Sequence, residues 1–201
     1  MKGDQTETHM PETNQAALDF LLSRRSRPAK TLTTPVPDRA ALTILLTAAA
    51  RTPDHGKLVP WRFIVLERPA LERLAGEVMA RGAARGETPE RIEKMYRQFA
   101  DAHLAVAVVS APVASEKVPE IEQVYSAGAA CLALLNAALA AGWGANWLSG
   151  WASHDPEFLS VALGLSGTEK VAGFVHIGTE SSAPPERPRP DLDAITEWVS
   201  K

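Results

Sequence analysis

A long apolar stretch near the middle of the chain restricts the fold more than any other feature. Residues 119–141, which include "SAGAACLALLNAALAA", carry apolar or small side chains on nearly every face of a helix. A helix of this kind requires that most of its surface be enclosed. The sequence therefore predicts a helix buried either in the core of one domain or in an interface between two copies of the chain.

Several features favour a cytoplasmic protein with no membrane partner. The apolar run over residues 127–141 is shorter than the roughly 20 residues that span a bilayer. Residues 1–13 lack the apolar segment of a signal peptide, so we expect a polar, disordered lead-in before a single domain over residues 14–201. Cys131 is the single cysteine, which excludes a disulfide within the chain and favours a buried, unreactive thiol.

One short segment departs from the overall charge of the chain. The formal net charge is −3 and no long basic stripe is present, which argues against nucleic acid as a partner. Yet "SRRSRPAK", residues 23–30, places four basic side chains within eight residues. These cations could be a solvated helix end, where they complement the partial negative charge of the last carbonyls. They could also form a phosphate site, since the guanidinium fork binds phosphate oxygens in pairs.

Apolar spacing and cap residues outline the secondary structure. Helices are predicted over residues 14–24, 38–52, 69–85, 88–102, 119–141 and 155–165, and in the tail from residue 191, with Asp38 and Thr88 as candidate N-caps. Strands are predicted over residues 60–67, 103–111 and 170–179, with a short strand or loop within residues 142–150. About seven helices and four strands fit an α+β arrangement around a small sheet better than a regular βαβ array.

The sequence contains none of the common catalytic signatures. GxSxG, GxGxxG, HExxH and GxxxxGK[ST] are missing, and the five histidines are never three to five residues apart, which argues against a helical metal pair. What remains is a set of polar clusters at the ends of predicted elements. They are "RRS" at 24–26, "RTPDHGK" at 51–57, "NWLSG" at 146–150 and "RPR" at 187–189. Because each lies where an element ends, all four could reach one cleft.

In order and spacing, these clusters and their neighbours resemble the nitroreductase family of flavin enzymes, specifically its branch of small single-domain members. The resemblance runs from about Ala16 to Trp198 and is carried by "LLSRRSRPAK", "ARTPDHGKLVPWRFIVLE", "YSAGAACLALLNAALAAGWGANWLSG", "KVAGFVHIGTE" and "PRPDLDAITEW". It implies a nitroreductase-like α+β fold, with a small central antiparallel or mixed sheet enclosed by helices. It also implies an interlocked homodimer in which each subunit completes the flavin site of the other.

The resemblance assigns FMN contacts to ten residues. Arg24, Arg25 and Ser26 would contact the phosphate and the ring edge, and Arg187 and Arg189 would contact the phosphate. Arg51 and His55 would also contact FMN, and Trp147, Leu148 and Ser149 would lie against the flavin. Taken alone, each has an ordinary alternative: a solvated helix end, a turn histidine, a core tryptophan and a polar tail.

Two positions depart from the family pattern. Val59 stands before the Pro-Trp pair, where members often have an amide, so a contact to the flavin ring is either missing or supplied by Lys57. Leu148 follows the tryptophan where small members often have an arginine, which leaves the backbone groups of this segment as the available contacts.

The implied activity is that of an FMN-dependent NAD(P)H oxidoreductase. It would work by ping-pong exchange, with NADH or NADPH as reductant and a flat acceptor such as a nitroaromatic or a quinone. Flavin supplies the chemistry in such enzymes, which agrees with the missing catalytic motifs and requires neither a catalytic side chain nor a metal. Two alternatives remain open at this point: a reductase or dehydrogenase on the same scaffold with a non-nitro substrate, and a flavin-binding protein without turnover.

Overall fold

The computed structural model describes residues 12–201, so nearly all of the lead-in expected over residues 1–13 lies outside the described residues. Within them are seven α-helices and five strands. The helices are α1 Gln15–Ser23, α2 Arg39–Ala49, α3 Arg68–Ala84, α4 Pro89–Ala100, α5 Glu120–Ala140, α6 Pro156–Leu163 and α7 Leu192–Ile195. The strands are β1 Leu32–Thr33, β2 Trp61–Glu67, β3 Leu104–Ser110, β4 Gly144–Leu148 and β5 Lys170–Glu180.

The helix starts follow from side-chain caps. Asn14 accepts a hydrogen bond from the Ala17 backbone N–H, and Asp38 accepts one from Ala41. Thr88 and Asp155 cap α4 and α6 in the same way, and each is followed by proline in the first turn. These residues satisfy donors that a helix start leaves without partners. The caps at positions 38 and 88 confirm the predictions made from the sequence.

The five strands form one antiparallel sheet, which confirms the α+β class. β5 lies in the middle and pairs with β1, β3 and β4, whereas β2 pairs with β3 and ends the sheet on that side. The fifth strand, β1, was not predicted because two residues are too short to show an alternating pattern. All seven residues of β3 are buried, since helices cover both faces of the sheet at this strand.

Two apolar layers enclose the sheet. One layer includes residues of α3, α4 and α6, with Phe99, Phe158 and Phe174 packed together. The other includes residues of α2 and α5, with Trp61 and Val106 on the sheet side. The sheet therefore holds α2, α5 and β4 in fixed relative positions.

Helix α5 accounts for the long apolar stretch. At 21 residues it is long and apolar enough, by length and composition, to cross a membrane, a property that core helices share. Its buried residues are Gln123, Ser126, Ala127, Ala130, Cys131, Leu134, Leu135 and Ala138. Burial raises the pKa of the Cys131 thiol to about 12, which confirms the buried, unreactive cysteine. One face of α5 thus belongs to the core of the single chain.

Candidate functional site

The segment after α1 runs beside β4. Arg24 caps α1 with an extended backbone, and its N–H donates to the Phe20 carbonyl at 2.7 Å. Three residues later, the Arg27 N–H donates to the Ala145 carbonyl at 2.8 Å, and the Asn146 side-chain amide donates to the Arg27 carbonyl at 2.5 Å. These backbone contacts hold the first arginine cluster against the start of β4.

The Arg24 guanidinium is partly buried and incompletely paired. Its Nη2 donates to Ser26 Oγ at 3.2 Å, whereas its buried Nε has no hydrogen-bond partner among the described residues. Burial lowers the pKa of Arg24 below its ordinary value, and the nearby charges of Arg189 and Arg27 lower it further. A buried donor without a partner, beside two other cations, is an environment that an anion would stabilise.

The proline-rich tail brings its own arginines to this cluster. Arg25 donates to the Pro185 carbonyl, and its Nη1 lies 4.0 Å from a carboxylate oxygen of Glu186. The same carboxylate accepts from Arg189 Nε at 3.0 Å and lies 2.8 Å from its Nη2. Arg187 is exposed and contributes its backbone N–H to Glu186. The structure therefore places parts of the "RRS" and "RPR" clusters together.

Sequence reasoning missed two residues of this arrangement. Glu186 joins Arg25 to Arg189, and a carboxylate enclosed by prolines and arginines in "PPERPR" was the available signal. Arg27 was left out of the ten, but it anchors β4 by its backbone and forms an ion pair with Glu180 at 3.1 Å.

Strand β4 carries the second predicted cluster. The Trp147 indole covers Gly173 and donates from Nε1 to the Ala172 carbonyl at 3.3 Å. A Cβ on Gly173 would lie 1.9 Å from that nitrogen, so only glycine allows this packing. The Ala145 carbonyl accepts from Arg27, so it lies on the outer edge of β4, away from β5. Backbone groups alternate between the two edges of an antiparallel strand, and those of Trp147, two residues later, therefore face the same outer edge.

The neighbours of Trp147 leave this edge accessible. Leu148 is half-buried and Ser149 is exposed, and Trp147 itself keeps 37% of its surface exposed. Backbone donors and acceptors next to an exposed indole can hold the edge and face of a flat ring.

Arg51 and His55 form a separate group. His55 Nδ1 lies 2.6 Å from Glu122 Oε2 in the first turn of α5, and both side chains are exposed. Arg51 follows α2 and is exposed. In residues 12–201, no hydrogen bond or ion pair joins either residue to the Arg24 cluster. The structure thus does not bring all ten predicted residues together within one chain.

The loop after His55 has an unusual backbone. Lys57 and Val59 adopt positive φ angles of 56° and 49°, and Asp54 Oδ1 accepts from the N–H groups of Leu58 at 2.5 Å and of Val59 at 3.3 Å. A β-branched residue in the left-handed region is strained, and such strain is concentrated at functional sites. This loop contains Val59, the departure from the family pattern that lies before β2, and Lys57, the residue that could supply the missing contact.

A large cavity lies elsewhere in the described structure. It has a volume of about 850 Å³, runs between α2 and the end of β2, and contains none of the ten predicted residues. No three or more His, Cys, Asp or Glu side chains in residues 12–201 are grouped to hold a metal ion.

Comparisons with known proteins identify similar chains. The model of the family described as "Nitroreductase family" matches residues 21–179. An Escherichia coli K12 protein named "Putative NAD(P)H nitroreductase YdjA" is 36% identical over 163 residues, which are 81% of this chain and 87% of that protein.

Solved structures agree on the fold. A nitroreductase-like family protein from Bacillus cereus superposes with a TM-score of 0.75 at 21% identity, covering 95% of this chain and 98% of that one. A variant of NfnB, an FMN- and NADPH-dependent nitroreductase from a Sphingopyxis strain, superposes with a TM-score of 0.72 at 20% identity, covering 90% and 98%. At these identities the likeness shows the fold.

Proposed function

This chain belongs to the nitroreductase family, and from that premise we propose that it is an FMN-dependent NAD(P)H oxidoreductase acting in the cytoplasm. Its acceptor would be a flat molecule such as a nitroaromatic or a quinone. The relationship to YdjA supports a nicotinamide reductant, and the NfnB fold neighbour supports FMN. When bound, FMN would take up a hydride from NAD(P)H and pass the electrons to the acceptor.

The single observation that carries the cofactor assignment is the Arg24 environment. A buried Nε without a partner and the nearby charges of Arg27 and Arg189 fit a terminal phosphate, whose oxygens would pair with the guanidinium groups. The absence of a GxGxxG turn favours a single phosphate over the pyrophosphate of FAD.

The remaining residues would orient the ring. Ser26 Oγ accepts from Arg24 and so holds the guanidinium in place, while its own hydroxyl hydrogen is available to a ligand oxygen. The outer edge of β4 offers the backbone groups of Trp147 and the exposed segment Leu148–Ser149 to the ring. None of these residues needs to act as an acid, base or nucleophile.

A homodimer would unite the two separated groups. His55 contacts the first turn of α5, whereas Arg27 bonds to Ala145, which follows the last turn. At 1.5 Å per residue, the 21 residues between these ends span about 30 Å, longer than one FMN molecule. We therefore assign Arg51 and His55 to the flavin of the partner subunit, so that each site needs both chains.

Exposed apolar surface supports the same assembly. Among the described residues of α1, none is buried, although a nine-residue helix is not stable alone in water. The outward face of α5 exposes Ile121, Tyr125 and Leu132 at 52%, 68% and 44%. Leu135 lies in the core of the single chain at 3% exposure, so it does not belong to this exposed face.

Three measurements test the proposal. Mass spectrometry of the cofactor released from the purified protein should identify FMN, and FAD as the main species would refute the assignment. Anaerobic stopped-flow mixing with NADPH or NADH should bleach the flavin absorbance. Bound flavin that neither nucleotide bleaches would favour a flavin-binding protein without turnover. Light scattering should give twice the chain mass of 21.6 kDa.

A further inference from the structure

Two tryptophans stand at the ends of the segment that would lie against the flavin. Trp147 belongs to β4, and Trp151 begins the 3₁₀ turn that follows. Strand pairing with β5 ends at Leu148. The backbone N–H groups of Ser149 and Gly150 donate to no other group among residues 12–201. The sheet therefore does not fix the last part of this segment, and contacts beyond it must do so.

The ring of Trp151 is held by two side chains. The Arg85 guanidinium carbon lies over the ring, 5.2 Å from its centroid. The Phe158 ring meets the indole at 74°, with the two centroids 5.8 Å apart. Both geometries are those of favourable cation–π and edge-to-face contacts. The indole Nε1 is buried without a partner in the described structure, so these ring contacts set the orientation of the side chain.

The Arg85 guanidinium is itself fixed by two carboxylates. Asp155 accepts from Arg85 Nη1, and Glu87 accepts from Arg85 Nη2 at 3.1 Å. The Asp155 side chain is 1% exposed and also accepts from Arg81 at 2.8 and 3.0 Å. Hydrogen bonds from Arg81, and then from the Phe158 N–H and Arg85, hold the pKa of Asp155 well below its ordinary value. The carboxylate thus stays charged, and the planar fork of Arg85 is kept over the indole.

Gly150 connects Trp151 to the segment before it. A side chain at Gly150 would overlap the terminal methyl group of Met95 in α4, which is 6% exposed. The Gly150 carbonyl accepts from the Ser153 N–H at 3.0 Å, within the turn that Trp151 begins. Because protein interiors are close-packed, a displacement of the Trp151 ring is transmitted to Gly150 through this short turn.

We propose that Trp151 is a positioning residue for the flavin: held by Arg85 and Phe158, it fixes the direction in which Ser149 and Gly150 present their backbone groups. The inference rests on the proposed function, in which residues 147–149 lie against FMN. Trp151 acts through Gly150 and is not a catalytic residue.

Substitution of Trp151 tests the proposal through the affinity for FMN. Trp151→Leu removes the ring and should weaken FMN binding about tenfold in a fluorescence titration, since both ring contacts are lost. Trp151→Phe keeps a ring beside Arg85 and should stay within about threefold of the wild type. Anaerobic reduction of the bound flavin by NADPH should slow in the same order.

A matched variant separates positioning from a general loss of stability. Leu71 is fully buried in the same apolar layer but lies in the first turn of α3, at the opposite end of that helix from Arg85. Leu71→Ala should lower the unfolding free energy in urea and leave the FMN affinity of the folded protein unchanged. An unchanged affinity in Trp151→Leu, or equal affinity losses in Trp151→Leu and Leu71→Ala, would overturn the proposal.

Fluorine NMR reads the position of the segment whether or not the purified protein carries flavin. The chain has five tryptophans, and after labelling with fluorotryptophan the Trp147 resonance is identified by its loss in Trp147→Phe. Arg85→Gln removes the cation from the Trp151 ring and should shift the Trp147 resonance by more than its line width. Arg97→Gln, which removes an exposed arginine of α4, should leave that resonance in place.

The two measurements distinguish this inference from the proposed function. A wild-type protein that binds no FMN would refute the cofactor assignment, and the Trp147 resonance would then decide the role of Trp151. A shift in Arg85→Gln would retain Trp151 as the residue that positions the segment. The same Trp147 resonance in Arg85→Gln and in the wild type would overturn that role, with or without bound flavin.

Discussion

His176 should make the folded chain lose stability between pH 7.5 and pH 5. This residue of β5 is 2% exposed, and its Nε2 is buried with no hydrogen-bond partner in the described structure. Burial lowers the pKa of His176 to about 4, since a charged imidazole would lose its hydration there. In an unfolded chain the pKa returns to about 6.5. The unfolded state therefore binds more protons between these values, and stability falls as the pH falls through that window.

The size of the effect follows from the two pKa values. At pH 5 the unfolded histidine is almost fully protonated and the folded one almost fully neutral, which corresponds to about 2 kcal/mol of lost stability by proton linkage. At pH 7.5 the same expression gives less than about 0.1 kcal/mol. The hydrogen bond with Arg62 lowers the pKa of Glu169 to about 2. The contribution of Glu169 to the folding stability is therefore lost only as the pH falls from about 4.5 toward 2. The two effects are thus separated on the pH axis.

Urea unfolding at both pH values measures the effect directly. The loss of unfolding free energy between pH 7.5 and pH 5 should be about 2 kcal/mol smaller in His176→Gln than in the wild type. His154→Gln, at an exposed position, serves as the matched control and should behave as the wild type. Protein and flavin concentrations are kept equal, because dimerisation and ligand binding also shift stability. An equal pH-dependent loss in His176→Gln and the wild type would refute a buried, neutral His176.

Three further predictions concern the site and the fold. Arg24→Ala should weaken FMN binding by about 1.5 to 3 kcal/mol in a fluorescence titration, the range for hydrogen bonds to charged groups, whereas Arg91→Ala, which removes an exposed arginine of α4, should leave the affinity unchanged. Asp155→Ala should lower the unfolding free energy by about 3 kcal/mol in urea titration, because it removes a helix cap and leaves two arginines without their buried partner. Gly173→Ala should displace the Trp147 indole, read as a shift of tryptophan emission, with a loss of flavin affinity.

Elements with a local signal could be predicted from the sequence. The caps at Asp38 and Thr88, the apolar spacing of α1 and the β-branched run of β3 each fix structure within a few residues. β1 could not be found, because its two residues depend on the distant partner strand β5 for their conformation. The positive φ of Val59 was likewise unpredictable, since valine disfavours it and the Asp54 side chain holds it in place.

The candidate site likewise has one part that the sequence predicts and another that only the folded structure reveals. Arginine-rich ends of elements are visible in the sequence, and the structure brings Arg24, Arg25 and Arg189 together. The sequence does not show how far apart these residues lie in the folded chain. In the structure, His55 and the arginine cluster lie at opposite ends of α5. A residue pattern identifies the ligand that a set of side chains could hold, but only packing decides whether one chain or two must supply them.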